Sequence, residues 1–363
     1  MSRTPSPRDA VAAVVEPQIG RTLGELGFVG EVSDDAVELI LPVTNWPPRS
    51  VIEERVAAAA PGARLSVRSM TEEERLGLRN FLRAQMTAAD DGHGHDATPA
   101  FLARTSRTRV LGISSGKGGV GKSTVTVNLA VALAARGHSV GLLDADVYGF
   151  SVPKMMGAAT DPVVLGDLVL PTLAHGVRVV SMGYFVPDEQ PVIWRGPMLH
   201  KAIEQLVRDA WWDQPDFLLI DMPPGTGDVA LTLSEVVPRV EMYVVTTPQP
   251  AAQRVAQRSA YAARKLKLSV RGVIENMSWF SGDDGVRYEI FGKGGGDALA
   301  RDLGVALLAR VPLDPRLREG GDVGSPIVAA DPTSDAAVAF ANLADAVAAQ
   351  GPTRLYRQEL TLR

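Results

Sequence analysis

Short apolar runs alternate with segments of helical periodicity from about residue 108 to the end of the chain. Apolar runs of four to seven residues bounded by polar or glycine residues are typical of buried strands. The predicted strands are 110–113, 139–143, 177–182, 217–220, 242–247, 270–275 and 307–311. Predicted helices follow residue 124 directly and cover 197–208 and 334–349. This alternation predicts an α/β fold with a doubly wound, mainly parallel sheet.

The first 86 residues carry a different pattern. Val11, Val14, Val15 and Ile19 fall on helical spacing, which predicts a helix there. Strands are predicted over 36–41 and 65–67, with a helix between them that starts near residue 52 and ends before residues 61–62, a Pro-Gly pair. We therefore expect a small α+β domain over 1–86, a linker over 87–107, the α/β domain over 108–350 and a tail over 351–363.

The linker contains His93 and His95, separated by one glycine. Two nearby histidines can take a divalent ion. The glycines and polar neighbours favour a flexible connection instead.

Composition narrows the classes of function. The 363 residues carry a net charge of −5 and no cysteine. Disulfides, thiol nucleophiles and thiolate metal sites are therefore excluded within this sequence. No apolar signal segment is evident near residues 1–9, and no apolar run reaches the ~18 residues of a membrane span. We expect a cytoplasmic protein with no nucleic-acid partner and no membrane span.

One glycine-rich segment fits the pattern G-x-x-x-x-G-K-[ST] and lies between a predicted strand and a predicted helix. Its residues are Gly116, Lys117, Gly118, Gly119, Val120, Gly121, Lys122, Ser123 and Thr124. In this setting, backbone N–H groups and the helix N-terminus bind phosphates. Lys122 would reach the β- and γ-phosphates of ATP, and Ser123 would offer its hydroxyl to Mg²⁺. The segment therefore predicts an ATP-binding loop.

Carboxylates follow two of the predicted strands. Asp221 ends the apolar run 217–220, where we expect it to orient Mg²⁺. The next loop, with Gly225 between prolines and a further glycine, can present a backbone N–H to the γ-phosphate. Asp144 and Asp146 end another strand; one could face Mg²⁺ and the other the attacking water.

Recognition of the base is assigned to Asn276, whose amide offers a donor and an acceptor to the edge of adenine. Pro312 lies in a segment that can pack on the same ring. An asparagine that caps a turn is the alternative interpretation.

Lys117 is not required by an ordinary phosphate loop. With it, the segment resembles the deviant-Walker ATPases, which include the nitrogenase iron protein and the MinD and ParA families. The resemblance implies a homodimer in which Lys117 contacts the nucleotide of the other subunit. It also implies that Asp146 polarises the attacking water and that Asp144 supports the magnesium site.

Further segments resemble the Mrp/ApbC family of iron–sulfur cluster carrier ATPases. They are 193–197 (Ile-Trp-Arg-Gly-Pro), 221–228 (Asp-Met-Pro-Pro-Gly-Thr-Gly-Asp), 275–278 (Glu-Asn-Met-Ser) and 290–292 (Ile-Phe-Gly). Residues 17–27 resemble the iron–sulfur assembly-type domain that precedes many of these ATPases. The family implies ATP and Mg²⁺ binding, slow hydrolysis, a homodimer, and delivery of clusters to apoproteins or work with assembly proteins.

The chain departs from that family at one place. The family carries Cys-x-x-Cys shortly after the Asn-Met-Ser segment, whereas this chain has Ser281-Gly282-Asp283-Asp284-Gly285. Clusters are held overwhelmingly by thiolates, and aspartates are hard oxygen ligands. We interpret 281–285 as a turn, so the cluster that the family implies has no cysteine ligand here.

Two other functions compete with this interpretation. A positioning ATPase of the MinD/ParA type would act on DNA, on a membrane or on a protein partner, and a basic segment could contact phosphates. Its cations are Arg254, Arg258, Arg264, Lys265, Lys267 and Arg271. Residues 355–362 could form a weak membrane contact. A non-catalytic scaffold that binds nucleotide is the other alternative.

Overall fold

The structure is a computed structural model that describes residues 6–87, 98–103, 105–158, 160–185, 196–225, 227–237, 239–282 and 284–352. The histidine-containing part of the predicted linker, residues 193–195 and the tail after residue 352 lie outside the described residues.

The helices are α1 (Pro7–Ala12), α2 (Arg49–Ala59), α3 (Glu72–Met86), α4 (Lys122–Ala134), α5 (Val152–Met155), α6 (Gly196–Asp209), α7 (Asp228–Val236), α8 (Pro250–Lys265), α9 (Gly295–Leu303), α10 (Pro315–Val323), α11 (Ile327–Ala330) and α12 (Asp335–Ala349). The strands are β1 (Val29–Val32), β2 (Ala36–Leu41), β3 (Arg64–Ser69), β4 (Arg109–Ser115), β5 (Val140–Asp144), β6 (Val163–Leu165), β7 (Leu168–Leu170), β8 (Thr172–Ala174), β9 (Val177–Ser181), β10 (Phe217–Asp221), β11 (Glu241–Thr246), β12 (Ser269–Glu275), β13 (Phe280–Ser281), β14 (Arg287–Tyr288) and β15 (Ala306–Arg310).

The chain forms two compact units that are not contiguous in sequence. The first comprises 1–103, 160–173 and 208–214, and the second comprises the remainder. The division expected from the sequence, with boundaries near residues 86 and 108, is contiguous and so differs from these units. Leu165, Leu168, Leu170 and Trp211 are buried in the core of the first unit. Burial of these apolar side chains is the physical reason why their segments belong to that unit.

The first unit is built on the three-stranded sheet β1-β2-β3. Strand β1 runs antiparallel to β2, and β2 runs parallel to β3. Glu16 is fully buried and accepts a hydrogen bond from Trp46 Nε1 at 3.1 Å. A buried carboxylate requires such donors, because desolvation of an unpaired charge is costly.

The helix predicted across Val11 to Ile19 is wrong beyond its first two residues. Helix α1 ends at Ala12, and Val15 instead forms an isolated bridge with Thr22. Pro17 lacks the N–H that a continuing helix needs, and Glu16 turns back to accept a hydrogen bond from the backbone N–H of Ile19. The helix-like spacing of the apolar residues arises because a turn, not a helix, buries apolar side chains here, among them the fully buried Ile19.

Helix α3 was not predicted, although its start carries a capping box. The Thr71 hydroxyl accepts from Glu74 N, and the Glu74 carboxylate accepts from Thr71 N. Such a pair satisfies two amides that the first helical turn leaves free. The sequence T-x-x-E ahead of Leu78 and Leu82 was the available signal.

The second unit contains seven neighbouring strands of one sheet, in the order β15-β12-β11-β4-β10-β5-β9. The six pairings from β15 through β9 are all parallel. Every residue of β4, β5, β10 and β11 is buried, as expected of parallel strands covered on both faces. The predicted doubly wound α/β fold is confirmed, and the predicted strands correspond to β4, β5, β9, β10, β11, β12 and β15.

Helices α4 and α12 pack together over the core of this unit. Phe340 on α12 is fully buried in that core, whereas Val338 on the same helix is 44% exposed. In the portion of the chain that the structure describes, we find no helix both long and apolar enough to cross a bilayer.

Replacing Phe340 with alanine should lower the free energy of unfolding by about 3–5 kcal/mol, because the large cavity cannot close completely. Urea unfolding followed by circular dichroism measures this loss. Val338→Ala is the control on the same helix and should change stability by less than about 0.5 kcal/mol. Equal losses in the two variants would contradict the assigned core.

Candidate nucleotide-binding site

The glycine-rich loop joins the end of β4 to the start of α4, as the motif requires. Gly119 and Gly121 adopt left-handed backbone angles, with φ of 79° and 78°. Gly121 is the residue at the N-terminal cap of α4. A Cβ on Gly116 would collide with the main chain of Ala256. The loop therefore needs glycine at positions 116, 119 and 121 for its curvature and its close packing.

The Asp221 carboxylate, at the end of β10, is the centre of the polar contacts at this loop. It is 1% exposed, and its Oδ2 lies 2.6 Å from both Lys122 Nζ and Ser123 Oγ. Its Oδ1 lies 2.6 Å from Thr126 Oγ1. Parallel pairing of β10 with β4 places Asp221 level with Ile113, close to the loop that follows β4. The side chains of Lys122, Ser123 and Asp221, each predicted for a different part of the ATP–Mg²⁺ site, thus lie in mutual contact.

Thr126 is a contact that the sequence reasoning missed. It follows Lys122 by four residues, so both side chains lie on one face of α4. That spacing is the signal that could have identified it.

The two aspartates after β5 have different surroundings. Asp146 is 8% exposed, and its Oδ2 lies 3.6 Å from Lys122 Nζ. Asp144 is fully buried and accepts hydrogen bonds from the N–H groups of Asp146, Ser151 and Val152 and from Ser181 Oγ, each at 3.2 Å. Burial raises the pKa of Asp144 to about 7, and the nearby Asp221 charge adds to the rise. Asp144 thus shapes the loop that carries Asp146.

A cavity of about 470 Å³ opens beside the loop. Gly119, Gly121 and Thr124 line it from the glycine-rich loop and the start of α4. Apolar walls come from Met155, Met277, Pro312, Leu313 and Leu317, and polar groups at the rim include Lys154, Asp314 and Asp322. Mostly apolar walls with a few polar groups are typical of a small-molecule site.

Asn276 lies in this cavity, although its amide already has a partner. Its Nδ2 donates to Val120 O at 2.9 Å, and the side chain is 3% exposed. A Cβ on Gly121 would collide with the same Nδ2. The amide therefore braces the glycine-rich loop, and its oxygen is the group left to face a base.

Lys117 and Gly225, the two other predicted contacts, lie at the edges of the site. Lys117 Nζ is 3.5 Å from Gln249 Oε1, at the N-terminal cap of α8. Gly225 N donates to Ser115 O at 2.8 Å, and Gly225 O accepts from Ser259 Oγ at 3.2 Å. The Gly225 amide is thus engaged with the end of β4.

The segment that replaces Cys-x-x-Cys forms a turn, as predicted, over the residues described. It joins β13 to β14, and Gly282 N donates to Val286 O at 2.9 Å. Asp284 accepts from Val286 N and from the Tyr288 hydroxyl, and these bonds lower the pKa of its carboxyl. Over the described ranges, no group of three or more His, Cys, Asp or Glu side chains is arranged to hold a metal ion. The donors of a thiolate-held cluster are absent.

The residues present do fit a nucleotide and Mg²⁺. The loop presents main-chain curvature at a helix N-terminus, which suits an anion. The Ser123 hydroxyl and Asp221 carboxylate supply adjacent hard oxygen ligands of the kind that Mg²⁺ prefers.

Comparisons with known proteins agree with this geometry. A family model described as the NUBPL iron-transfer P-loop NTPase of the ParA group matches residues 106–348. A protein from Mycobacterium tuberculosis named iron-sulfur cluster carrier protein is 42% identical over 355 residues, which cover 93% of this chain and 91% of that protein. A Bacillus subtilis protein of the same name is 41% identical over 320 residues, covering 86% and 89%.

Solved structures give the same fold. A nucleotide-binding protein from Archaeoglobus fulgidus in complex with ADP is 33% identical, with a TM-score of 0.53, and covers 60% of this chain and 87% of that one. The MinD septum site-determining protein of Pyrococcus horikoshii, complexed with Mg-ADP, is 28% identical with a TM-score of 0.52, covering 66% and 96%.

Gly121→Ala should destabilise the nucleotide-free protein by about 1–2 kcal/mol, because a side chain disfavours its left-handed angles, and the collision with Asn276 adds to the loss. Thermal unfolding without nucleotide measures the effect.

Gly118→Ala is the matched control within the same loop. A Cβ there meets no atom within 4 Å, and the backbone angle is not left-handed. Its melting temperature should therefore equal that of the wild type, and a melting temperature as low as that of Gly121→Ala would contradict the loop geometry.

Proposed function

This chain belongs to the iron–sulfur cluster carrier family of P-loop NTPases, and from that premise we propose that it is a homodimeric, ATP-hydrolysing switch that assists cluster assembly or transfer to apoproteins. The observation that supports the proposal best is the contact of Lys122 and Ser123 with the buried Asp221 at the glycine-rich loop.

Lys122 acts as a sensor of the phosphates. Its ammonium lies 2.6 Å from the Asp221 carboxylate and neutralises that charge. A triphosphate in the loop offers more negative charge, so Lys122 turns toward it. Ser123 and Asp221 are then the residues that would hold Mg²⁺, which neutralises phosphate charge when bound. Nucleotide binding thus exchanges one set of contacts at Asp221 for another.

The cavity beside the loop accommodates the nucleoside. Pro312, Leu313 and Met277 provide apolar surface for the base, and the Asn276 oxygen is available to a base amino group. Asp146, which lies near Lys122 and is slightly exposed, is the residue proposed to polarise the attacking water.

Lys117 is proposed to act on the nucleotide of a second subunit. In one chain its ammonium contacts only a neutral amide oxygen, that of Gln249, among the residues described. An ammonium so placed can turn outward at little electrostatic cost. Stabilising charge on the opposite nucleotide would resemble the effect of a trans arginine, worth roughly 10³–10⁵ in rate.

The cluster itself is cargo, and this chain offers no thiolate to ligate it. We therefore propose that the chain supplies ATP-driven conformational change while a partner provides the cysteine ligands. The Asp284 turn does not replace them, because its carboxylate is bonded to its own hairpin.

Lys117→Ala should abolish ATP hydrolysis while ATP binding remains within about threefold of the wild type, because Lys117 lies outside the phosphate cradle of its own subunit. Phosphate release and binding of a fluorescent ATP analogue measure the two properties. Equal hydrolysis by variant and wild type would refute the trans role.

Lys122→Ala is the comparison that separates binding from hydrolysis. This variant should lose both ATP binding and hydrolysis, since the Lys122 ammonium faces the phosphates of its own subunit.

Light scattering with ATP should detect a dimer for the wild type, and a monomer under all nucleotide conditions would contradict the homodimer.

Anaerobic reconstitution with iron and sulfide should give no stable cluster absorbance, because thiolate ligands are absent. A relative carrying Cys-x-x-Cys is the positive control. A stable visible absorption band on the purified chain would show that it carries a cluster without cysteine.

A further inference from the structure

Helix α8 has an inner side of small residues and an outer side that bears charge. Its buried residues are Ala252, Ala256, Ser259, Ala260 and Ala263. The outer side carries what we call the α8 stripe, which consists of Arg254, Arg258, Tyr261 and Lys265, all exposed. Their spacing of i, i+4, i+7 and i+11 places them on one face of the helix.

The three cations of the α8 stripe have no ion-pair partner among the described residues. Other cations of the basic segment do have partners. Arg264 donates to Leu303 O, and Arg271 donates to Gln350 O at 3.2 Å. The protein as a whole carries a net charge of −5, so acidic residues are not scarce. A row of unpaired cations in an acidic protein is a surface suited to an external anion.

The surroundings of the stripe favour a protein anion over a nucleic acid. Tyr261, within the stripe, is 44% exposed, so apolar surface accompanies the charges. Asp302 lies beside the stripe and accepts a hydrogen bond from Gln257 Nε2 at 3.2 Å. A negative group at that position repels a continuous phosphate backbone, whereas a peptide can place its carboxylates selectively.

Helix α8 and its N-terminal cap contact the glycine-rich loop at two points and the loop after Asp221 at a third. The main chain of Ala256 packs against Gly116 so closely that a Cβ would not fit. Ser259 Oγ donates to Gly225 O at 3.2 Å, in the loop after Asp221. Gln249, at the cap of the helix, contacts Lys117. A shift of α8 therefore moves groups on both sides of the phosphate site.

We propose that the α8 stripe docks an acidic segment of a protein partner and that docking is coupled to the nucleotide state through Ser259 and Gly225. The docking part depends only on the charges and exposure of α8. The coupling part rests on the proposed nucleotide function.

The probe is a fluorescein-labelled 15-residue helical peptide with glutamates at i, i+4, i+7 and i+11 and a neighbouring leucine. Fluorescence anisotropy should show binding to the full chain that weakens as salt rises, since exposed charges are screened over about 8 Å at physiological ionic strength. A scrambled peptide of equal composition should bind about tenfold more weakly. Equal affinity for the two peptides would overturn the proposal.

The test variant is Arg254→Glu/Arg258→Glu/Lys265→Glu, which should bind the peptide at least tenfold more weakly than the wild type. The matched control reverses three exposed cations elsewhere, Arg75→Glu/Arg107→Glu/Lys201→Glu, and should lose less than threefold. Circular dichroism verifies folding, and the milder glutamine variants replace any that fail. Equal losses in both triples would overturn the stripe assignment.

Two further measurements address other occupants. A 20-base-pair DNA duplex should not displace the peptide at equal concentration; displacement would assign the stripe to nucleic acid. The test variant should keep ATP-dependent dimerisation; its loss would assign the stripe to a second copy. Either result overturns the proposal.

The coupling is tested by measuring peptide affinity with a non-hydrolysable ATP analogue, with ADP and without nucleotide. We expect at least a threefold difference between states in the wild type and a smaller one in Ser259→Ala. Equal affinities in a protein shown separately to bind nucleotide would overturn the coupling. Failure to bind nucleotide would refute the proposed function and the coupling with it, and leave the nucleotide-free docking result intact.

Discussion

The buried contact between Lys122 and Asp221 is the constraint on which the site depends. Both side chains are almost completely removed from water, with Asp221 1% and Lys122 6% exposed. Removing either charge alone would leave the other buried and unpaired, at a cost on the order of several kcal/mol. The pair therefore ties the glycine-rich loop to the end of β10.

The same need to satisfy buried polar groups explains the hydrogen bonds that surround the Lys122–Asp221 pair. Asp144 accepts four donors and holds the loop that carries Asp146, while Asn276 braces the loop from the opposite side through Val120. Each is a polar group with almost no exposure, so each needs its partners to offset desolvation. The result is a glycine-rich loop held from several sides; under the proposed function, the groups that change partners are Lys122, Ser123 and the Gly225 loop.

The sequence predicted the structure well where a single local pattern, such as a motif or an apolar run, determines it. Gly116 and Gly121 follow from the motif, and the apolar runs identify the parallel strands because both faces of the sheet are buried. It was less informative where long-range packing governs. The packing of Leu165 and Trp211 in the first unit's core depends on the whole fold, as do the partners of Asp144 and of the Asn276 amide. The periodicity over Val11–Ile19 misled, because a buried turn can imitate a helical stripe.

The missing cysteines and the unpaired cations of α8 bear on the same question of how this chain engages its cargo. Without a thiolate, contact with a cluster has to pass through a partner that ligates it. A transient partner needs a surface that is accessible, specific in charge and mechanically connected to the nucleotide. Among the described residues, the α8 stripe combines these properties: its cations are exposed, while its opposite side packs on Gly116 and hydrogen-bonds the Gly225 loop. Under the two proposals, the absence of cluster ligands is compatible with a working switch, because the side of α8 that contacts the loops and the side that carries the α8 stripe are different.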